Sequence, residues 1–127
     1  MAKIILVDDE EHILQYYAHE LSEAGHQVET LDTGNQLLSR IAFIDPEIVI
    51  LDIKLIDYDG LELLQAIRKE YPDLPVILST AYDSFRHDPK AMAADYYVVK
   101  SFDLSLLKTA VDRALEGNCY SLARCAW

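Results

Sequence analysis

Short, wholly apolar runs alternate along this chain with segments in which apolar residues recur every three or four positions. Residues 4–7 are a β-branched and aliphatic run that stops at Asp8-Asp9. Ile13, Leu14, Tyr17, Ala18 and Leu21 then fall on one helical face, and Gly25 suits a left-handed cap after it. Residues 28–31 predict a second strand. Leu37, Leu38 and Ile41 predict a second helix, stopped near Asp45-Pro46. Residues 48–51 form a third apolar run, ending at Asp52. Leu63, Leu64 and Ile67 follow Gly60 on a third helix that Tyr71-Pro72 closes. Residues 76–78 and 97–99 predict two more strands, ending at Ser79-Thr80 and Lys100. Leu104, Leu107, Val111 and Leu115 mark a last helix before Gly117.

Strands that are apolar throughout, with no alternation, are buried on both faces. Helices between them imply right-handed crossovers and a parallel sheet covered on each side. The pattern therefore predicts one α/β domain with a five-stranded, doubly wound sheet. At 127 residues the chain is long enough for one domain and short for two. A hydrophobic share of 51% excludes a disordered segment, and 11 basic against 22 acidic residues give a net charge of −11. Such a surface repels nucleic-acid phosphates and anionic membranes alike, so neither is expected as a direct partner. The opening apolar run is too short for a signal peptide or a membrane span, which predicts a cytoplasmic protein. Cys119 and Cys125 lie close together near the C-terminus, so the fold is not expected to depend on a disulfide.

In open parallel sheets, ligands bind beyond the carboxyl ends of the strands. The polar residues at those ends are Asp8, Asp9, Asp52, Thr80 and Lys100. Converging carboxylates repel one another unless a cation or a proton intervenes, and hard oxygen ligands without His or Cys select magnesium. A carboxylate beside magnesium, a lysine and a hydroxyl can accept a phosphoryl group as an acyl phosphate. No Gly-x4-Gly-Lys-Ser/Thr, Gly-x-Gly-x-x-Gly or Gly-x-Ser-x-Gly stretch is present, so neither a nucleotide loop nor a serine hydrolase elbow is indicated.

The pieces Ile-Leu-Val-Asp8-Asp9-Glu, Val-Ile-Leu-Asp52-Ile, Asp59-Gly60, Val-Ile-Leu-Ser-Thr80-Ala81 and Tyr97-Val-Val-Lys100-x-Phe102 together resemble the receiver domain of bacterial two-component response regulators, the CheY-like family. The resemblance implies a flavodoxin-like strand order 2-1-3-4-5, with a receiver domain over residues 1–118 and a tail over 119–127. It implies that Asp52 is the phosphoacceptor, and that Thr80 and Lys100 contact the phosphoryl group. Asp9 and Asp52 would hold magnesium directly, Asp8 through water and Lys54 through its backbone carbonyl. Tyr97 corresponds to the aromatic that, with Thr80, reports the phosphorylation state. Lys54 and Tyr82 fall where the family tunes the lifetime of the acyl phosphate. The implied donor is a phosphohistidine on a sensor histidine kinase or a histidine phosphotransfer protein, and the implied listener is a downstream effector domain or protein. Such a chain is a phosphoacceptor switch that assists its own phosphorylation and dephosphorylation, and is no enzyme beyond that.

Three features depart from the family pattern. Leu55-Ile56 replaces a Met-Pro pair, Ser101 replaces the proline after the lysine, and the stretch from Thr80 to Lys100 is about two residues short and carries Pro89. A proline inside a helix costs roughly 3 kcal/mol, so only residues 90–94 remain for a fourth helix, which is expected to be short or irregular. The dimer that relatives build on that helix is then disfavoured. A cis Lys-Ser bond costs about 2.5–4 kcal/mol, which predicts a trans bond, a remodelled loop before Phe102 and a loosely fixed Lys100. Two other readings belong to different classes. A pseudo-receiver would use the fold as a non-phosphorylated interaction module, against which stands the retention of all five polar groups. A magnesium-dependent phosphatase would carry Asp-x-Asp after the first strand, where this chain has adjacent acids. His12, His19, His26 and His87 read as solvated, and Trp127 as a frayed end.

Overall fold

The computed structural model describes residues 2–116. The expectations at Gly117, Cys119, Cys125 and Trp127, and the domain limit at 118, lie outside them. The elements follow one another as β1 (Lys3–Val7), α1 (Glu11–Glu23), β2 (Gln27–Leu31), α2 (Leu37–Ile44), β3 (Ile48–Leu51), α3 (Gly60–Glu70), β4 (Val76–Thr80), β5 (Tyr96–Val99) and α4 (Ser105–Glu116). All strand pairings are parallel, and the sheet order is β2-β1-β3-β4-β5. This is the doubly wound α/β sheet that the apolar runs predict.

Successive residues of each strand point to opposite faces, and the fully apolar strands fill two cores at once. Ile4, Leu6, Ile48, Ile50, Ile77 and Tyr96 pack with α1 and α4. Ile5, Val7, Val49, Leu51, Leu78 and Tyr97 pack with α2 and α3 on the other side. Burial on both faces holds for β1 from Ile4 onward, for β3 and for β4; β2 forms a sheet edge and stays half-buried to exposed. In α4 the inward positions belong to Leu107, Ala110, Val111 and Ala114, while Leu115, expected on that face, is exposed. Gly25 takes a positive φ of 99° after α1, and Asp45 ends α2 in the left-handed region.

Between β4 and β5 the described chain makes only a single 3₁₀ turn, at Ala91–Ala93, so the helix expected to be short or irregular over residues 90–94 is reduced to that turn. Side chains of α3 take over its backbone partners. Gln65 donates to the Lys90 carbonyl at 2.8 Å, and Arg68 Nε donates to the Ala93 carbonyl at 3.0 Å. Arg68 also reaches buried Asp95 at 3.3 Å, whose Oδ2 accepts the Val76 N–H at 2.8 Å. The loop is thus tied to α3 and to the start of β4 at once.

Register is what assembles the polar strand ends. Val7 pairs with Leu51, and Thr80 with Val99. The ladder then runs one residue further: Asp8 N–H donates to Leu31 O, Asp52 N–H to Val7 O and Lys100 N–H to Thr80 O, at 3.1, 3.1 and 2.7 Å. Helix α3 starts against the same corner. The Asp59 carboxylate accepts the Leu61 N–H at 2.9 Å as an N-cap, and the Gly60 N–H donates to Ile53 O at 2.7 Å. A Cβ on Gly60 would lie 2.1 Å from Asp52 O and 2.7 Å from Ile53 Cα, backbone atoms that cannot give way locally. Gly60→Ala is therefore expected to destabilise the domain by about 3 kcal/mol, the upper end of ordinary overpacking, read as a lowered urea midpoint. An unchanged midpoint would show that the helix start can shift without cost.

Candidate functional site

Lys100 reaches across the sheet from the end of β5 to the ends of β1 and β3. Its Nζ lies 2.6 Å from Asp8 Oδ2 and 3.0 Å from Asp52 Oδ2. The side chains of Lys100, Asp8 and Asp52 are 10%, 3% and 6% exposed, so the three charges interact with little solvent between them. The remaining carboxylate oxygens accept backbone N–H groups two residues on, from Glu10 at 2.9 Å and from Lys54 at 3.4 Å. Thr80 is fully buried and its Oγ1 accepts the Tyr82 N–H at 3.3 Å. The expectation of a loosely fixed Lys100 fails here: two carboxylates hold its ammonium. No described peptide bond is cis, so the trans Lys100-Ser101 bond is as expected.

Two buried acids share one lysine, and the triad carries an uncompensated negative charge. Burial opposes the Lys100 ammonium, but hydrogen bonding and attraction from Asp8 and Asp52 outweigh it and hold the lysine above its ordinary pKa. Asp52 is raised above the ordinary 3.8, first by burial and then by the Asp8 charge, which Lys100 only partly offsets. Asp9, next in sequence, is half-buried; its carboxylate and those of Asp8 and Glu10 offer oxygens within 4.8 Å of one another. The donor set is carboxylate oxygen with surplus negative charge, which fits a hard divalent cation such as magnesium. Glu10 was legible only as a third consecutive acid, a pattern more often simply solvated.

The rim carries the residues expected to tune and report the site. Tyr97 is buried, its hydroxyl donates to the Tyr82 carbonyl, and the Arg86 guanidinium sits 4.8 Å above its ring. Burial raises the Tyr97 phenol above its ordinary pKa. Lys54 and Tyr82 both lean on Phe85: the lysine Nζ is 5.3 Å from that ring's centroid, and the tyrosine meets it edge-on at 6.2 Å. Phe85 was not legible in the sequence, because only the fold brings residues 54, 82 and 85 together. A cleft of about 500 Å³ opens beside them, lined by Lys54, Ile56, Tyr58, Phe85 and Lys90 among others. His12 and His19 are exposed on α1, each within 4 Å of a glutamate, as expected of solvated histidines.

The sign of the Asp52 shift sets a pH dependence. A carboxyl that holds its proton more tightly when folded favours folding at low pH, and that advantage is lost as pH rises from 3.8 through the raised folded value. Asp52→Asn keeps the neutral form at every pH. Its urea midpoint is expected to exceed the parent's at pH 7, with the difference vanishing below about the ordinary carboxylate range. A midpoint at pH 7 below the parent's would mean that Lys100 overcompensates Asp52.

Comparison with known proteins agrees with this geometry. The family model for the response regulator receiver domain matches residues 4–112. Curated relatives include the regulatory protein AtoC of Escherichia coli, 33% identical over 90% of this chain and 25% of its own length. The heme response regulator HssR of Staphylococcus haemolyticus is 33% identical over 91% of this chain and 52% of its own length. The chain thus spans between a quarter and about half of these relatives. Among solved structures, the response regulator TrrA of Thermotoga maritima in complex with Mg²⁺-BeF superposes with a TM-score of 0.87 at 39% identity, covering 90% of this chain and 99% of that one. TrrA in complex with the histidine kinase ThkA gives a TM-score of 0.85 at 40% identity, over 91% and 99% of the two chains. No helix among the described residues is long and apolar enough to cross a membrane. The two-faced sheet, the strand-end triad and these matches lead to one conclusion: the chain belongs to the response regulator receiver domain family.

Proposed function

We propose that this chain is a phosphorylation-controlled receiver whose Asp52 accepts a phosphoryl group from a phosphohistidine, on a sensor histidine kinase or a histidine phosphotransfer protein. The observation that carries the reading is the buried Lys100 ammonium held against Asp52 Oδ2 at 3.0 Å beside a second buried acid. In the transfer, an Asp52 carboxylate oxygen attacks phosphorus, the P–N bond to the donor imidazole breaks, and the imidazole keeps the bonding electrons. Lys100 shifts from pairing carboxylates to neutralising an oxygen of the moving phosphoryl group, and the Thr80 hydroxyl donates a hydrogen bond to another. Magnesium, held by Asp9 and Asp52 with Asp8 and the Lys54 carbonyl in support, would neutralise phosphoryl charge. A complex with Mg²⁺-BeF is named for TrrA, a relative of similar length and fold.

Phosphorylation puts new charge beside Thr80, whose backbone leads directly to Tyr82. Tyr82 in turn accepts the Tyr97 hydroxyl through its carbonyl. Movement of Thr80 toward the phosphoryl group therefore disturbs the contact that keeps Tyr97 in place, and changes the surface around residues 82–86 and β5 that an effector domain or protein would read. Chemistry stays confined to this single modification; no other substrate is turned over.

Incubation of the chain with acetyl phosphate and magnesium is expected to add the mass of one phosphoryl group, labile to hydroxylamine and mapped to Asp52. Asp52→Asn should abolish the adduct, and Asp9→Ala should abolish it while the chain stays folded. Full phosphorylation of either variant sinks the assignment, and no adduct on the parent chain supports a pseudo-receiver. The Lys54 and Tyr82 side chains, gathered on Phe85 at the rim, are expected to hinder the hydrolytic water. Replacing both with alanine should then speed loss of the adduct about tenfold, one factor of ten being about 1.4 kcal/mol in barrier. An unchanged decay would leave both residues without a role in lifetime.

A further inference from the structure

Serine after the active lysine leaves a backbone N–H that a proline would lack, and the structure uses it. Tyr17, on the inner face of α1 and only 2% exposed, meets Ser101 with its hydroxyl on two sides. The hydroxyl donates to the Ser101 carbonyl at 3.2 Å and accepts the Ser101 N–H at 3.3 Å. Its phenol is raised above its ordinary pKa mainly by burial, with both Lys100 and Asp8 close enough to be felt. The ring of Tyr16 packs edge-on to that of Tyr17, with centroids 5.8 Å apart, and its own hydroxyl donates to Phe102 O at 2.8 Å. Phosphoryl transfer as described above assigns none of these contacts a part.

We propose that Tyr17 is a positioning residue for the phosphoacceptor site: its hydroxyl clamps Ser101 and so aims the Lys100 ammonium between Asp8 and Asp52. Lys100 is then fixed on both sides of its own backbone. On one side its N–H donates to Thr80 O at 2.7 Å, and on the other the next residue is held by Tyr17. A lysine stem has about 2 kcal/mol of rotamer entropy to lose, so an anchored backbone matters for how tightly its tip can be held. The clamp replaces, by hydrogen bonding from a neighbouring helix, the rigidity that a proline ring would place in the chain itself. It also explains how Lys100 is held firmly where the covalent restraint is missing. The effect on transfer rate rests on the receiver reading above; the effect on Lys100 order does not.

Tyr17→Phe keeps the ring and removes only the hydroxyl. Two readouts on the full chain separate the claims. First, ¹⁵N relaxation of the Lys100 ammonium in the unphosphorylated protein is expected to give a lower order parameter in Tyr17→Phe than in the parent; an equal value overturns the proposal. Second, phosphorylation by acetyl phosphate and magnesium is expected to slow about fivefold to tenfold, the scale of one lost hydrogen bond. In a Lys100→Ala background the same substitution should have no further effect, because Tyr17 acts through the lysine. A slowing that persists there would mean that Tyr17 acts on the site by another route, and overturns the proposal. If the parent chain forms no adduct, the receiver reading fails while the relaxation result still judges Tyr17. Should Tyr17→Phe not fold, hydrogen exchange on the parent decides: the Ser101 amide is expected to be protected, and free exchange at that amide refutes the clamp.

Discussion

The contact on which the rest of this structure depends is the Lys100 ammonium between two buried carboxylates. Asp8 and Asp52 come from strands that hydrogen-bond directly to each other, so their side chains meet at the same end of the sheet whatever else happens. Two such charges out of water would repel strongly, and the low local dielectric makes that repulsion costly. Lys100 relieves it only in part, because one ammonium faces two acids. That residual charge suits the corner to the cation and the phosphoryl group proposed for it. Burial first, and the Asp8 charge after it, keep Asp52 harder to ionise than an ordinary aspartate. Stability and chemistry pull in opposite directions at the same atoms.

Around this corner the chain solves two local problems by unusual means. The missing crossover helix would ordinarily cover the sheet between β4 and β5. Here a 3₁₀ turn does so, and its carbonyls are satisfied by Gln65 and Arg68 from α3. On its loop side the Tyr97 ring then has the Arg86 guanidinium above it. Any signal leaving the site through Thr80 and Tyr97 therefore reaches an irregular loop first. Loops of this kind rearrange more readily than a packed helix, since fewer backbone bonds must break.

The second problem is the residue after the lysine. A serine there leaves the backbone conformationally freer than a proline would, by the loss of one fixed dihedral. The fold compensates from outside the segment, with α1 supplying a buried phenol. The same helix packs Leu14, Tyr17 and Leu21 into the core beside β1, so Tyr17 is held by its neighbours before it holds Ser101. Support for Lys100 is thus drawn from the layer that also stabilises the sheet.

Much of this was written in the chain. Apolar runs without alternation specified buried parallel strands, and the helical spacing between them specified the crossovers, because each side chain's face follows from local geometry alone. The strand-end residues Asp8, Asp52, Thr80 and Lys100 could be named as one constellation, since a parallel sheet has a single carboxyl edge. The shortness of the 81–95 segment and Pro89 pointed to a short or irregular fourth helix, which the fold reduces to a 3₁₀ turn. What the sequence could not decide were contacts between segments far apart along it. Nothing in the spacing of Tyr17 and Ser101, 84 positions apart, marks them as partners. The firmness of Lys100 is hidden for that reason: the serine's freedom is visible locally, and the hydroxyl that meets it is not. Phe85 as the platform for Lys54 and Tyr82, and Ala114 in place of Leu115 on the inner face of α4, were likewise settled only when the layers packed. Local pattern fixes which face a residue takes and where the strands end; which side chain fills a given gap depends on shapes that exist only once the sheet and helices have come together.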